Sequence, residues 1–160
     1  ASLEETAKRC RNAAHSKVED ASWFEQNCRM LSLYTVKITA GANHSGFAVS
    51  KKCPMCPRCN KTEQSEEKSV NYDYVNFGAE GMYRHPKWDL SNAKYKPLRC
   101  ISLGEVDELE KNHTRERSGI YFWLTNCCHH NTERELLRMG YKVGGARSTT
   151  WFDETKVEGR

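Results

Sequence analysis

Thr125-Asn126-Cys127-Cys128-His129, preceded by the aromatic run Tyr121-Phe122-Trp123-Leu124 and followed by a Leu-bearing segment that stops at Gly140, is the stretch on which the fold turns. Asn126 or Thr125 can cap a helix, which predicts Cys127 in the first helical turn. Unpaired backbone N–H groups and the positive end of the helix dipole stabilise a thiolate there. Cys127 is therefore a candidate nucleophile, against the blander reading of a packed, inert thiol.

Upstream, residues 2–30 place Leu3, Ala7, Cys10, Ala14, Val18 and Ala21 at three- and four-residue steps, which predicts an amphipathic helix. Leu31, Leu33, Val36 and Ile38 alternate with polar residues up to Gly41, and a second apolar run follows at 46–50, so this segment reads as a hairpin. Residues 51–70 turn to Cys, Pro, Lys, Glu and Ser, an insertion without a core. A third strand is expected at 72–77, a short strand or helix entry at 98–103, a charged helix at 104–117 and an apolar strand or buried turn at 120–124. The last helix should span 132–139, ended by Gly140. Helix, antiparallel strands and a thiol-bearing helix make an α+β class, with an antiparallel sheet packed against helices. Three parts follow: an N-terminal helical segment 1–30, a domain 31–150 and a polar tail 151–160.

The chain has 160 residues, 38% of them hydrophobic, enough for one modest core. Its 25 basic and 21 acidic residues are interspersed, so the net charge of +4 points only weakly to a polyanionic partner. No apolar run reaches the ~18 residues that a membrane-spanning helix needs, and the expectation is a soluble, cytoplasmic protein without a transmembrane segment. Eight cysteines and the sequons at Asn43, Asn60 and Asn112 would suit a secreted disulfide framework. Ten asparagines make such triplets unremarkable by chance, and the secreted reading ranks lower.

Several stretches together resemble a known family. Tyr95-Lys96-Pro97-Leu98-Arg99-Cys100, the charged segment 105–110, the run from Tyr121 to Thr125, Asn126-Cys127-Cys128-His129 and Leu137-Arg138-Met139-Gly140 are similar to the C-terminal half of the H-box/NC proteins. These are the lecithin:retinol acyltransferase-like and phospholipase A/acyltransferase-like enzymes, a permuted branch of the papain-like thiol fold. Tyr34-Thr35-Val36-Lys37-Ile38 followed by His44-Ser45-Gly46-Phe47-Ala48-Val49 resembles the H-box. The resemblance implies Cys127 as nucleophile and His44 as its general base, with Asn126, Cys128 and His129 at the helix start that holds an oxyanion. The chemistry implied is an acyl-thioester formed from a lipid or other acyl donor, with no cofactor required. The second histidine of active members, which orients the first, falls near Cys56. Ser45 and His130 stand where aromatic residues are usual, and 151–160 is polar where vertebrate members carry an anchor.

These departures make the chain most similar in character to picornaviral 2A proteins of the H-box/NC kind. That resemblance implies a non-proteolytic protein that supports viral replication in the host cytoplasm through host-protein or RNA contacts, with acyl chemistry weak or lost. His85, followed by Pro86, competes with His44 but ranks second, because the proline interrupts a strand. Cys53, Cys56 and Cys59 have zinc-knuckle spacing, and Cys100 is a candidate fourth ligand, so a zinc- or disulfide-stabilised binding module is the third reading. The long insertion also admits strand exchange and hence a homodimer.

Overall fold

The computed structural model of the protein describes residues 28–51, 72–78, 81–83 and 90–159. Strands β1 (Cys28–Thr39), β2 (Ala42–Ser50), β3 (Tyr72–Gly78), β4 (Gly81–Tyr83) and β5 (Lys94–Ser102) form one antiparallel sheet in the order β4-β3-β2-β1-β5. Helices α1 (Leu103–Asn112), α2 (Arg115–Ser118) and α3 (Cys128–Arg138) follow, and α3 packs on β2 and β3. The α+β class with an antiparallel sheet against helices stands.

Alternation along the hairpin assigns the two sheet faces. Leu31, Leu33, Phe47, Val49 and Val75 pack with Ile101, Leu109, Leu136, Val143, Phe152 and Val157 on the helical side. Tyr34, Val36, Ala48, Tyr72 and Tyr74 build the other side with Tyr95. Both faces of the central strands are therefore buried, which explains why the alternation in sequence is imperfect. Pro97 sits on edge strand β5, where the pairing jumps from Leu31↔Arg99 to Ser32↔Pro97, a place that tolerates the missing N–H. Ser102 caps α1, accepting from the Glu105 amide while Glu105 reaches back to the Ser102 N–H.

Several details differ from the sequence reading: α3 starts at Cys128 instead of 132, and β5 at Lys94 instead of 98. Residues 28–30, expected at the end of a helix, begin β1; the rest of that helix, 1–27, lies outside the described residues. The predicted single helix over 104–117 is two, divided at His113 and Thr114. The aromatic run 120–124 is an exposed turn, not a buried one. Phe152 and Val157, in the segment expected as a polar tail, are fully buried in the main core. Charge along 151–160 hides those two anchors.

Asn43 ties this last segment down. Its side-chain amide donates to the Phe152 carbonyl at 2.9 Å, its carbonyl accepts from the Phe152 amide at 2.8 Å, and its backbone N–H reaches Thr150 at 3.0 Å. With both ends of the carboxamide engaged and the residue buried, the sequon at Asn43 is closed to glycosylation in the folded domain.

Gly46 marks the tightest approach in the sheet. A Cβ there would lie 2.6 Å from Asn76 Oδ1 and 3.0 Å from both Tyr34 Cε1 and the Val75 carbonyl. Gly46→Ala should cost about 1–3 kcal/mol in urea unfolding, whereas Gly144→Ala, with nothing within 4 Å of its Cβ position, should stay within about 0.5 kcal/mol of the parent. Equal losses would show that the Gly46 contact carries no weight.

Buried histidines set the acid limit. Burial holds His44 down to about 3, His113 down to about 4 and His129 below its ordinary value. A depressed histidine binds its proton more readily in the unfolded chain, so its stabilisation is present above pH 6.5 and drains away as pH falls toward the folded value. For His44 and His113, each should remove up to about 1.4 kcal/mol per pH unit below pH 6. Thermal unfolding midpoints at pH 7, 6, 5 and 4 check this; a flat profile would contradict it.

Candidate active site around Cys127

Cys127 is the N-cap of α3, one residue earlier than expected, in extended backbone (φ −100°, ψ −173°). Neither Asn126 nor Thr125 caps the helix. Asn126 instead clamps the preceding turn, donating to the Ser118 and Ile120 carbonyls at 2.6 and 2.9 Å and accepting from Arg134 at 2.9 Å.

The Cys127 sulfur is surrounded by donors. The Cys128 thiol donates to it, as do the backbone N–H groups of His130 and His129, and His130 Nδ1 lies at 3.1 Å. These contacts outweigh desolvation and pull its pKa down to about 4. The proton stays on Cys128, whose thiol is pushed well up by the anionic neighbour and by burial. At neutral pH the pair is therefore Cys127 thiolate beside Cys128 thiol.

His130 was not among the residues expected to act, yet it is the imidazole in reach of the sulfur. Arg147 Nη1 lies 3.2 Å from His130 Nε2, and Arg147 in turn pairs with Glu133 through its Nε. A guanidinium has only donors and the Cys127 amide also donates to this ring, so the two contacts compete for the one lone pair of a neutral imidazole. His130 Nδ1 accepts from the Cys127 amide at 3.2 Å, closing the capping box, and lies 3.1 Å from the Cys127 sulfur. His130 thus ties the N-cap backbone to α3 beside the sulfur. The i,i+3 spacing from Cys127 on a helix is the sequence signal that could have found this contact.

His44 belongs to a different network. Its Nε2 is 2.7 Å from Asn76 Oδ1, which also accepts from the Tyr34 hydroxyl. Its register partner is Val36, and Tyr34 pairs with Gly46, which places His44 on the tyrosine face of the sheet. The next residue, Ser45, faces the helix: its hydroxyl bonds His129 Nδ1 at 2.7 Å and donates to Thr132 at 3.1 Å. His44 and Cys127 both line one cavity of about 280 Å³. Still, the partners of the Cys127 sulfur are Cys128, the helix amides, His130 and the Thr149 carbonyl at 3.9 Å, and the His44 imidazole is not one of them. Asn76 is the residue that holds the His44 ring; Cys56, expected in that role, lies outside the described residues.

The remaining expected site residues fall elsewhere. Cys53, Cys56, Cys59 and His85 lie outside the described residues, as does the side chain of Cys100. Among the described residues no group of three or more His, Cys, Asp or Glu side chains is arranged to hold a metal ion. No described helix is long and apolar enough to cross a membrane. Comparison with known protein families, with curated proteins and with solved structures gives no match.

Alkylation by iodoacetamide, followed by intact mass, should modify Cys127 with a half-maximal rate near pH 4 and leave Cys128 untouched at neutral pH. Cys128→Ala should move the midpoint upward, toward that of an ordinary thiol. An unchanged midpoint in that variant would remove Cys128 from the account.

Proposed function

We propose that this is an H-box/NC-type thiol domain, related in architecture to the permuted papain-like enzymes, that has kept an activated cysteine and lost efficient turnover. Its role is that of the picornaviral 2A proteins of this kind: support of viral replication through host-protein or RNA contacts. The surroundings of Cys127 carry the reading: donors at the start of α3 pull its pKa down to about 4, while His44, the histidine expected as its base, is bound to Asn76.

Acyl transfer needs two steps from such a site. Attack on an acyl donor requires a thiolate and donors for the oxyanion, and both are present at the start of α3. Release of the acyl group requires a base to activate water or an alcohol. His44, the base that the resemblance implies, is bound to Asn76 and held down to about 3, a weak base at neutral pH. Acylation is therefore favoured over deacylation.

Incubation with p-nitrophenyl acetate should give one acetyl group on Cys127 by intact mass, a single burst of nitrophenol and little further release, with Cys127→Ala inert. Sustained turnover linear in time would support the alternative of a working acyltransferase or phospholipase. An unmodified Cys127 would sink the thiol reading altogether.

A further inference from the structure

Cys127 and Cys128 are neighbours in the chain and their sulfurs meet, the Cys128 thiol donating to the Cys127 sulfur. Both side chains line the same cavity of about 280 Å³. We propose that the two form a peroxide-reactive dithiol, in which a small hydroperoxide oxidises Cys127 to a sulfenic acid and Cys128 converts that acid to a disulfide between the neighbours. The inference rests on the proposed thiol function only for the thiolate at Cys127, and it adds a reaction that needs no acyl donor. Access selects the oxidant: Cys127 is 2% and Cys128 7% exposed, so only a small molecule entering the cavity reaches them. Hydrogen peroxide takes roughly the volume of two waters, about 60 Å³, and fits.

Two steps follow, each led by a different sulfur. The Cys127 thiolate attacks one peroxide oxygen; the S–O bond forms, the O–O bond breaks, hydroxide leaves, and the sulfur loses two electrons to the peroxide. The Cys128 sulfur then attacks the Cys127 sulfur; the S–S bond forms, the S–OH bond breaks, and the departing hydroxide takes the Cys128 proton and leaves as water. Neither step calls for an outside base. Release of an acyl group does, and His44 is bound to Asn76.

The contacts of the two sulfurs set the order of attack. Cys128 is kept protonated chiefly by donating to the anionic Cys127 and by its own burial. Once Cys127 carries an oxygen in place of its charge, the anion that held the Cys128 proton is gone, while the Ser45 N–H still favours the Cys128 thiolate. Cys128 is thus held in reserve until Cys127 has reacted. The resulting bond is under strain, because the α-carbons of adjacent residues stand about 3.8 Å apart across a trans peptide, closer than the roughly 4.4–6.8 Å of ordinary disulfides. Strain of this kind makes a disulfide easy to reduce, so the product is a reversible block on the nucleophile instead of a structural staple.

Trypsin cuts after Arg117 and Arg134, and the peptide 118–134 carries Cys127, Cys128 and no other cysteine. The full chain, reduced and then given one equivalent of hydrogen peroxide, should yield this peptide unalkylated and lighter by two hydrogens after denaturation in iodoacetamide. Dithiothreitol should restore both alkylatable thiols. Cys128→Ser should stop at a sulfenic acid on Cys127, trapped as a dimedone adduct, and Cys127→Ser should slow peroxide oxidation of the peptide about tenfold or more. Two alkylated cysteines in the parent peptide after peroxide, a dimedone adduct on the parent as abundant as on Cys128→Ser, or a disulfide joining 118–134 to another peptide would each overturn the proposal. Acetylation by p-nitrophenyl acetate of the same reduced protein reads the thiolate separately. Acetylation without the disulfide sinks this inference alone, whereas loss of both removes the thiolate on which it stands.

Discussion

The carboxamide oxygen of Asn76 is the atom on which the sheet depends. It accepts from Tyr34 on β1 and His44 on β2 while standing on β3, so one acceptor ties three consecutive strands on a single buried face. Removing it takes a shared acceptor from two buried donors, a loss of about 1–3 kcal/mol for each bond broken. Around this point the tyrosines pack edge-on and stacked, Tyr34 against Tyr74 at 5.0 Å and Tyr72 against Tyr95 at 5.2 Å, and the Tyr74 and Tyr95 hydroxyls meet at 2.6 Å. The Tyr34, Tyr74 and Tyr95 hydroxyls and the His44 ring thereby find partners within the face. Gly46 is the corollary, since any side chain there would push Asn76 away from both of its donors.

Strand alternation then divides the labour between neighbours. His44 serves the tyrosine face; Ser45, one residue on, serves the helix by bonding His129 and Thr132; Asn43, one residue back, holds the closing segment at Phe152. Three consecutive residues of β2 thus anchor the sheet interior, α3 and the last segment of the core. This explains the chemistry as well as the fold. A histidine committed to a buried acceptor is stable when neutral, and the desolvation that keeps it neutral also makes it a poor base. The helix start, by contrast, offers backbone donors to the sulfur, which is what an anion wants. Structure and thiolate are both served by this division.

Much of this was legible in the residues. Period-two alternation gave β1, β2 and β3 to within a few positions, and Gly140, at φ 91°, ended α3 where its lack of a side chain permits. The special placing of Cys127 at a helix start also reads directly from Asn126-Cys127-Cys128-His129. The pairing of histidines does not. Which face His44 occupies depends on register, and a shift of one residue would have exchanged His44 for Ser45 at the helix. The contact of His130 with Arg147 reaches 17 residues away, into a loop with no periodic pattern. Asn76 is invisible for a related reason: an isolated asparagine in an aromatic strand looks like a defect until the two donors from other strands are in place.

The aromatic turn shows the limit of reading apolarity as burial. Tyr121-Phe122-Trp123-Leu124 has the composition of a core strand, yet a strand needs ladder partners for its peptide groups, and here the partners are supplied from within. The Phe122–Asn126 bridge and the Asn126 side chain close the run on itself over five residues, too tightly for it to join the sheet. Tyr121 still turns inward, its ring 5.6 Å from Phe77, and fixes the turn at the edge of β3. The same residue that caps nothing on α3, Asn126, is therefore what converts an apolar run from core material into a presented surface, and its placement one residue before Cys127 sets that surface at the entrance to the thiolate.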